Sequence, residues 1–555
     1  HEGRSSDPCA HAQTLGIGPS GSALPPATRR TFRTNPAPVR DPRCTGAATP
    51  TRTLLRVKKR LITLSAVLGM GLVSACAGQS TAPSTTAGSA PASGKASASP
   101  SDAAPPKSPY WSDPAAVGQP YPPGKVQGLI TFRGNPTRTY YGAGPVTQTT
   151  PTEKWTYPKN GQMCGTSIDE HGAMQWCGSG WTGQPSVFER EGKTWVVFGA
   201  YDYGVHFLNA ANGNEILPTF KTGDIIKGSV TVDPDGFPLV YTGSRDNNLR
   251  VLSIDGNQAQ ELWRLNANDV SPVQWNDDWD GSPLVIDDYL FEGGENSQFH
   301  IVKLNRKYDK QGKVTVNPKL VFNAPGWDSQ LMSDFGSPQT SIENSVAIYK
   351  DTVYFANSAG LVQGWDISKL KQGKDPQRVF RFWTGDDTDA TVTIDEEGFL
   401  YVGSEYEKGN SRSREVGQMM KLDPRKKGDP LVWSVKDQGR LGGGVWGTPA
   451  LYKDIVIYDT DGGRVLGIDR QDGDVRWERE LPGPLWQSPV VVDDTLLLGD
   501  CEGSMHAFDV SDTKSAPKPL WDKKLSGCIE STPAVYGGGM YFGTRSGQFH
   551  ALDIS

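Results

Sequence analysis

Cysteine and histidine are scarce in this chain, seven of each among 555 residues. A zinc centre built on those side chains has few ligands to draw on. Four of the histidines, His206, His300, His506 and His550, stand in similar short phrases, as in His506-Ala507-Phe508-Asp509 and His550-Ala551-Leu552-Asp553. They occupy one position of a repeat, each in its own unit, and so do not converge on one ion. No Gly-x-Ser-x-Gly phrase stands between a strand and a helix, which leaves no nucleophile elbow. Gly442-Gly443-Gly444 leads into a strand rather than a helix and makes a poor phosphate cradle. The apolar run Leu61 to Val73 is too short to cross a bilayer, which takes roughly 20 residues. A basic surplus is missing as well. Of the 56 Lys+Arg and 62 Asp+Glu, 11 and 3 lie in residues 1–76, so the remainder carries 45 basic and 59 acidic side chains, a net of −14. That balance disfavours nucleic acid, and it disfavours an anionic membrane surface held by charge alone.

Glycine and proline are abundant, 64 and 41 residues. Many stand in one recurring phrase. Its clearest copies are Gly447-Thr448-Pro449-Ala450, Gln487-Ser488-Pro489-Val490 and Ser531-Thr532-Pro533-Ala534. After each comes a short apolar strand, a turn with Gly or Asp, and an apolar stretch ending at Asp469, Asp509 or Asp553. Trp477 and Trp521 follow the first two. A period of about 40 to 60 residues with four short strands per unit is the signature of a β-propeller. Eight units begin at or near Gly183, Gly228, Gly281, Ser345, Ala390, Gly447, Gln487 and Ser531. The last has three strands and then the chain ends. A spare strand around Trp155, from Pro151 to Tyr157, precedes the first unit. The expected fold is all-β: an eight-bladed propeller of four-stranded antiparallel blades, closed by that N-terminal strand, over residues 121–555. Closure removes sheet edges that would invite aggregation.

Ahead of the repeats lies an export pattern. Arg56-Val57-Lys58-Lys59-Arg60 is basic, Leu61 to Val73 is apolar, and Val73-Ser74-Ala75-Cys76 ends the run with small residues and a cysteine. The ending resembles the lipobox of bacterial lipoproteins, which implies that Cys76 is diacylated and that residues 57–76 are the signal. Residues 1–56 are rich in Pro, Arg, Thr and Ser without strand or helix period, and are read as a non-native or disordered extension, with translation starting near Val57. Residues 77–120 read as a disordered Ser/Ala/Pro/Thr tether.

The repeat resembles that of the pyrroloquinoline-quinone-like (PQQ-like) propeller family. The resemblance rests on the Ser-Pro or Thr-Pro opening, a Gly-x-x-x-Gly turn such as Gly543 to Gly547, Ala551-Leu552-Asp553, a Gly turn, and then Trp. Phe132-Arg133-Gly134-Asn135-Pro136 with Arg138-Thr139 looks like the lead-in found before the first Trp strand in this family. WD-repeat propellers fit less well, because Trp365-Asp366 and Trp521-Asp522 do not fall at one repeat position. Enzymes of the family typically hold PQQ under a ring of two adjacent cysteines, with a calcium on acidic and amide side chains and often a Cys-x-x-Cys-His haem site. This chain has neither cysteine motif. Asn276-Asp277-Asp278-Trp279-Asp280 has calcium-type oxygens without EF-hand spacing and reads as a solvated acidic turn.

Cys164, Cys177, Cys501 and Cys528 remain as an even set in an exported chain. Cys164 and Cys177 share the insertion before blade one. Cys501 lies in a second-to-third-strand turn and Cys528 in a loop leading into a first strand, and those loop types open on one propeller face. Two disulfides, Cys164–Cys177 and Cys501–Cys528, are expected; the alternative is a zinc site using all four. The same face carries the candidate ligand-binding residues Trp181, Trp279, Trp446 and Trp486, with Asp202, Asp246 and Asp461 between them. Trp327, Tyr201, Arg245 and Glu405 belong to the same loops. Aromatics among acids and amides suit a carbohydrate, peptide or other polar ligand.

The expected function is therefore that of a lipid-anchored, extracytoplasmic, monomeric propeller on the cell membrane. It would bind a protein partner or a cell-envelope carbohydrate or peptide, without a catalytic residue, cofactor or metal. The nearest analogue in the family is the lipoprotein that scaffolds outer-membrane barrel assembly. The alternative is a PQQ-dependent oxidoreductase of unusual site, using PQQ and calcium.

Overall fold

The computed structural model describes residues 108–121, 125–169, 172–181, 183–439 and 442–555. The extension 1–56, the signal 57–76 with Cys76, and the tether as far as 107 lie outside the described residues. Among the described residues, no helix is long and apolar enough to cross a membrane.

Eight antiparallel sheets of the described chain form the propeller. Blade six is a plain example: Ala450–Tyr452, Ile455–Asp459, Arg464–Asp469 and Val475–Glu480, hydrogen-bonded in that order. Its second strand is buried at every residue, because both faces lie against neighbouring blades. Its fourth strand keeps Trp477 buried among exposed and half-buried residues, as befits a strand at the rim. Each blade begins where the Pro-containing or equivalent phrase ends, at Ser186, Thr231, Leu284, Ala347, Thr393, Ala450, Val490 and Ala534. In blade eight, Ala534–Tyr536, Gly539–Gly543 and Phe549–Asp553 are joined by Thr152–Tyr157, which pairs antiparallel with the last of them.

The glycine turn and the tryptophan of the repeat serve one contact between blades. Trp433 Nε1 of blade five donates to Arg470 O of blade six (3.2 Å), and Trp155 Nε1 of blade eight donates to Ala210 O of blade one (2.9 Å). Gly473, at φ 84°, lies under the Trp433 ring, where an added Cβ would come within 2.6 Å of Cγ. A side chain there would push the indole out of the seam, and the backbone conformation also favours glycine. The four third-strand histidines share one register, opposite Phe198, Glu292, Leu498 and Phe542.

The lead-in phrase does more than precede the first strand. Ile130 O accepts from Val232 N (2.8 Å), Pro136 O from Ile348 N (2.8 Å) and Thr137 O from Ile394 N (3.1 Å), so the segment lies against the first strands of blades two, four and five. Arg133 and Arg138 are fully buried. Arg133 donates to Pro489 O (2.6 Å) and Pro449 O (2.7 Å), and Arg138 to Val346 O (2.8 Å) and Ser282 O (3.3 Å). Tyr141 Oη accepts from Leu451 N, and Ala143 N donates to Val535 O. First strands line the axis of a propeller, so this segment plugs the axial channel. Burial lowers the Arg138 guanidinium to about 9 and lowers Arg133 as well.

The expected tether ends sooner than residue 120. Trp111 is buried against Tyr289 and Phe291 and donates through Nε1 to Ile367 O (3.0 Å). Asp113 caps a 3-10 turn at Pro114–Ala116. Ser112 bridges to Lys350, and Ala116 O and Gln119 O accept from Asn135 Nδ2, so the segment is docked along its length.

Candidate functional site

Each blade opens with a hydroxyl or amide side chain at the axis: Gln184, Ser229, Ser282, Ser345, Thr391, Thr448, Ser488 and Thr532. Several interlock from blade to blade. Gln184 N–H donates to Ser229 Oγ (2.9 Å), Ser282 to Ser345 (2.9 Å), Ser345 to Thr391 (3.0 Å), Thr391 to Thr448 (3.0 Å) and Thr448 to Ser488 (2.9 Å). The plug contacts some of these positions, such as Gln184 and Ser282, and the residues just after them. The loops that arrive just before them lie on the other side of the ring and form the opposite, loop-bearing face.

A second repeated bond builds that face. The N–H of a residue in the turn between strands two and three donates to the carbonyl four residues before the opening side chain. The pairs are Arg245 to Ile225 (3.0 Å), Glu295 to Asp278 (3.0 Å), Ser358 to Ser341 (2.9 Å), Glu405 to Asp387 (2.8 Å), Asp461 to Gly444 (2.9 Å), Cys501 to Pro484 (2.9 Å) and Arg545 to Cys528 (2.9 Å). Three repeat positions therefore meet in each of blades two to eight: an outer loop position, an inner one two residues later, and the turn. The inner position is Lys227, Asp280, Glu343, Asp389, Trp446, Trp486 and Glu530 in blades two to eight. One backbone frame thus carries an acidic arc over blades three to five and an aromatic arc over blades six and seven.

In the aromatic arc, Trp446 and Trp486 stack with centroids 5.1 Å apart, and Trp181 meets Trp446 edge-on at 5.0 Å. Trp486 Nε1 donates to Asp461 Oδ1 (2.7 Å). Cys501 and Cys528 are disulfide-bonded, linking the turn of blade seven to the outer position of blade eight. Cys164 and Cys177 are disulfide-bonded across the hairpin Cys164–Asp169 and Gly172–Cys177, in direct register. Both expected pairings are present, and with them the four-cysteine zinc alternative is removed.

The expectation of an open aromatic rim needs correction. Trp181, Trp279, Trp446 and Trp486 are only 5%, 1%, 4% and 7% exposed. Large rings near the axis gain more from covering one another and the blade seams than from facing water. Trp181, Trp446 and Trp486 do come together, in one cluster with Trp176, Tyr201 and Ile225. Trp279 belongs elsewhere: it lies against His300, centroids 4.8 Å apart, and donates to Asn247 O (3.0 Å). Asp202 is held by His206 Nε2 (3.0 Å) and Lys221 Nζ (3.0 Å), and Asp246 by Arg250, so each is tied to its own blade. The aromatic that is exposed on these loops is Trp275, at 38%, beside Val273 at 43%.

The acidic arc was under-read. Asp278 and Asp280 are buried rather than solvated, and with Glu295 they form a triad whose oxygens lie within 4.8 Å of one another. Blade two supplies the counter-charge from the equivalent positions: Lys227 pairs with Asp280 and lies 3.7 Å from Glu295, while Arg245 pairs with Asp278. Burial works against the Lys227 ammonium, but Asp280 and Glu295 outweigh it and hold its pKa above the usual value. Burial pushes Asp278 up to about 7, against the pull of Arg245. Blade four places Ser341, Glu343 and Ser358 at the same positions, and both hydroxyls donate to Glu343 Oε1 (2.6 and 3.0 Å). Blade five repeats the acidic triad as Asp387, Asp389 and Glu405. Of these residues, Glu405 and Arg245 stood out in the sequence. Counting two and four residues back from each opening side chain would have found Lys227, Ser341, Glu343, Asp387 and Asp389.

Comparison with known proteins agrees with the fold. Residues 417–555 match the family model described as outer membrane protein assembly factor BamB. No curated protein matches the chain by sequence. Among solved structures, BamB from Moraxella catarrhalis is 15% identical, with 73% of this chain and 98% of that chain covered and a TM-score of 0.46. The quinohaemoprotein alcohol dehydrogenase from Comamonas testosteroni is 12% identical, with 77% and 80% covered and a TM-score of 0.49. A second such dehydrogenase, from Pseudomonas putida HK5, is 11% identical over 77% and 80%, with a TM-score of 0.51. Its likeness speaks for the fold alone. Its eight four-stranded blades make this chain a β-propeller, and over residues 417–555 its repeats are similar to those of the PQQ-like family.

Proposed function

We propose that this is a lipid-anchored, extracytoplasmic propeller that captures a protein or cell-envelope ligand on its loop-bearing face and catalyses no reaction. The observation that carries this reading is the plug. Thr131 to Thr139 fill the channel from one side, so a ligand reaching the axis meets the loop face, on a rigid frame of the kind that usually carries binding loops. The aromatic faces that would floor a planar quinone are spent instead: Trp446 and Trp486 cover each other, and Trp181 abuts Trp446. Exposed Trp275 and Val273 offer rigid apolar contact beside the buried acids. Cys76 carries the anchor in this reading, and two acyl chains give stable attachment where one is marginal.

The test is capture of partners from detergent-solubilised source membranes by immobilised protein. A Val273→Ser/Trp275→Ala double variant should lose the captured partner while melting like the parent. Retention by the double variant would move the site to another face. Reduction of a dye by an alcohol or sugar, seen only when PQQ and calcium are added, would favour the oxidoreductase reading instead.

A further inference from the structure

We infer that the axial plug is a coupling device: through it the eight blades resist opening as one unit rather than as a ring of neighbours. Blades pack mainly on the two beside them, and stability in such an array is a sum of unit and nearest-neighbour terms. Closure by Thr152–Tyr157 removes the free ends but leaves each contact local. The plug reaches every blade. Gly128–Leu129 pairs antiparallel with the first strand of blade one, and Arg133 N–H donates to Gln184 Oε1 (2.8 Å). The carbonyls of Ile130, Pro136 and Thr137 accept from blades two, four and five. The Arg138 guanidinium donates to carbonyls of blades three and four, and that of Arg133 to carbonyls of blades six and seven. Ala143 N–H donates to blade eight.

The segment is built to transmit a displacement. It is folded on itself: Tyr140 N–H donates to Arg133 O (3.1 Å), Arg138 N–H to Asn135 O (3.0 Å), and Thr139 N–H to Asn135 Oδ1 (2.9 Å). Gly134, at φ 67°, lies so close to the returning chain that an added Cβ would come within 2.4 Å of Tyr140 O. Arg133 and Arg138 stand at φ 54° and 62°. A side-chain-bearing residue holds such a conformation only where its surroundings over-determine it.

Burial makes the coupling all-or-none. Both arginines are fully buried. A blade that swings out takes its carbonyl with it and leaves a guanidinium N–H without an acceptor in a low-dielectric interior. That costs more than the bond itself. Arg133 joins blade one to blades six and seven, which are not both its neighbours, so an opening at blade six is felt across the ring. The coupling does not depend on what the loop face binds, and it is measured without ligand.

The experiment is native-state hydrogen exchange of the full chain, read by mass spectrometry on the buried second strands. A reporter lesion is placed at the seam of blades five and six, Gly473→Ala, which crowds the Trp433 ring. With the plug intact, this substitution should lower protection in all eight blades alike, by about tenfold, because the slowest amides share one opening. In the Arg133→Met/Arg138→Met background, the same lesion should lower protection in blades five and six only. Should that background fail to fold, Arg138→Lys, which keeps the charge and loses the planar fork, decides alone. A plug that merely adds stability would lower protection everywhere and still let the lesion spread. The inference is overturned by a lesion that spreads equally in the plug variant, or by one that stays within blades five and six in the parent.

Discussion

Blades three and five place the same three carboxylates at the same three repeat positions and balance them differently. In blade three the neighbour supplies cations: Asp278 and Asp280 meet Arg245 and Lys227. In blade five the neighbour contributes Glu343, and Asp389 keeps a buried oxygen with no partner. The backbone frame is common to both, down to the bond from Glu295 to Asp278 and from Glu405 to Asp387. The preceding blade presents cations to the one triad and a carboxylate to the other. A repeat protein can thus change the charge balance at one position by changing a neighbour, without touching the position itself.

Breaking the blade-three triad should have the largest effect. Arg245→Met leaves Asp278 buried beside Asp280 with one cation fewer, and removing one partner of a buried pair typically costs about 3–5 kcal/mol. Chemical denaturation of the variant checks this, and a loss below about 1 kcal/mol would mean that solvent already screens the pair. The next effect is a difference in size. Asp280→Asn should destabilise, because it strips Lys227 of its main partner. Asp389→Asn should cost less, because burial and the surrounding acids push that carboxyl well above the ordinary carboxylate range and it carries less charge to lose. If both substitutions shift the denaturation midpoint equally, the two triads are not differently balanced.

The smallest effect sharpens the same theme at the third-strand histidines. Burial pushes His300 of blade three down to about 3, so it is neutral throughout the working range. Burial also opposes charge at His506 of blade seven, but Asp500 (3.0 Å) and Asp522 (2.6 Å) outweigh it and raise its pKa. A raised folded-state pKa adds stability that is fully present below the unfolded value of about 6.5, and that is lost as pH rises through the folded one. His506→Asn should therefore lower the melting temperature more at about pH 5.5 than at about pH 8.5. An equal loss at both would show that the imidazole acts through packing alone.

Much of the frame was legible. The eight blade starts, the histidine register and both cystines follow from local phrases, because each blade uses the same few residues for the same contacts. Gly473 under Trp433 shows why: glycine and tryptophan recur where a seam leaves no room for a side chain and needs a large ring. The site was read less well. Trp181, Trp446 and Trp486 were placed on the correct face but turned outward, whereas they bury one another. Asp278 and Asp280 were given to solvent, because nothing local announces that Lys227 and Arg245 arrive from another blade. Trp111 was lost in a low-complexity run whose docking partners, Asp351 and Ile367, lie far along the chain.

The sequence by itself determined the repeat, the number of blades, the strand phrases and the pairing of cysteines, since these depend on spacing and on residue types that tolerate few backbones. Tertiary structure alone decided that Arg133 and Arg138 plug the axis, that the tryptophans face inward, and that one acidic triad meets cations from the preceding blade while its twin meets a carboxylate. Those outcomes turn on which side chains from distant parts of the chain meet in a low-dielectric interior. There an unpartnered charge is costly and a paired one is not, and spacing along the chain carries no record of the pairing.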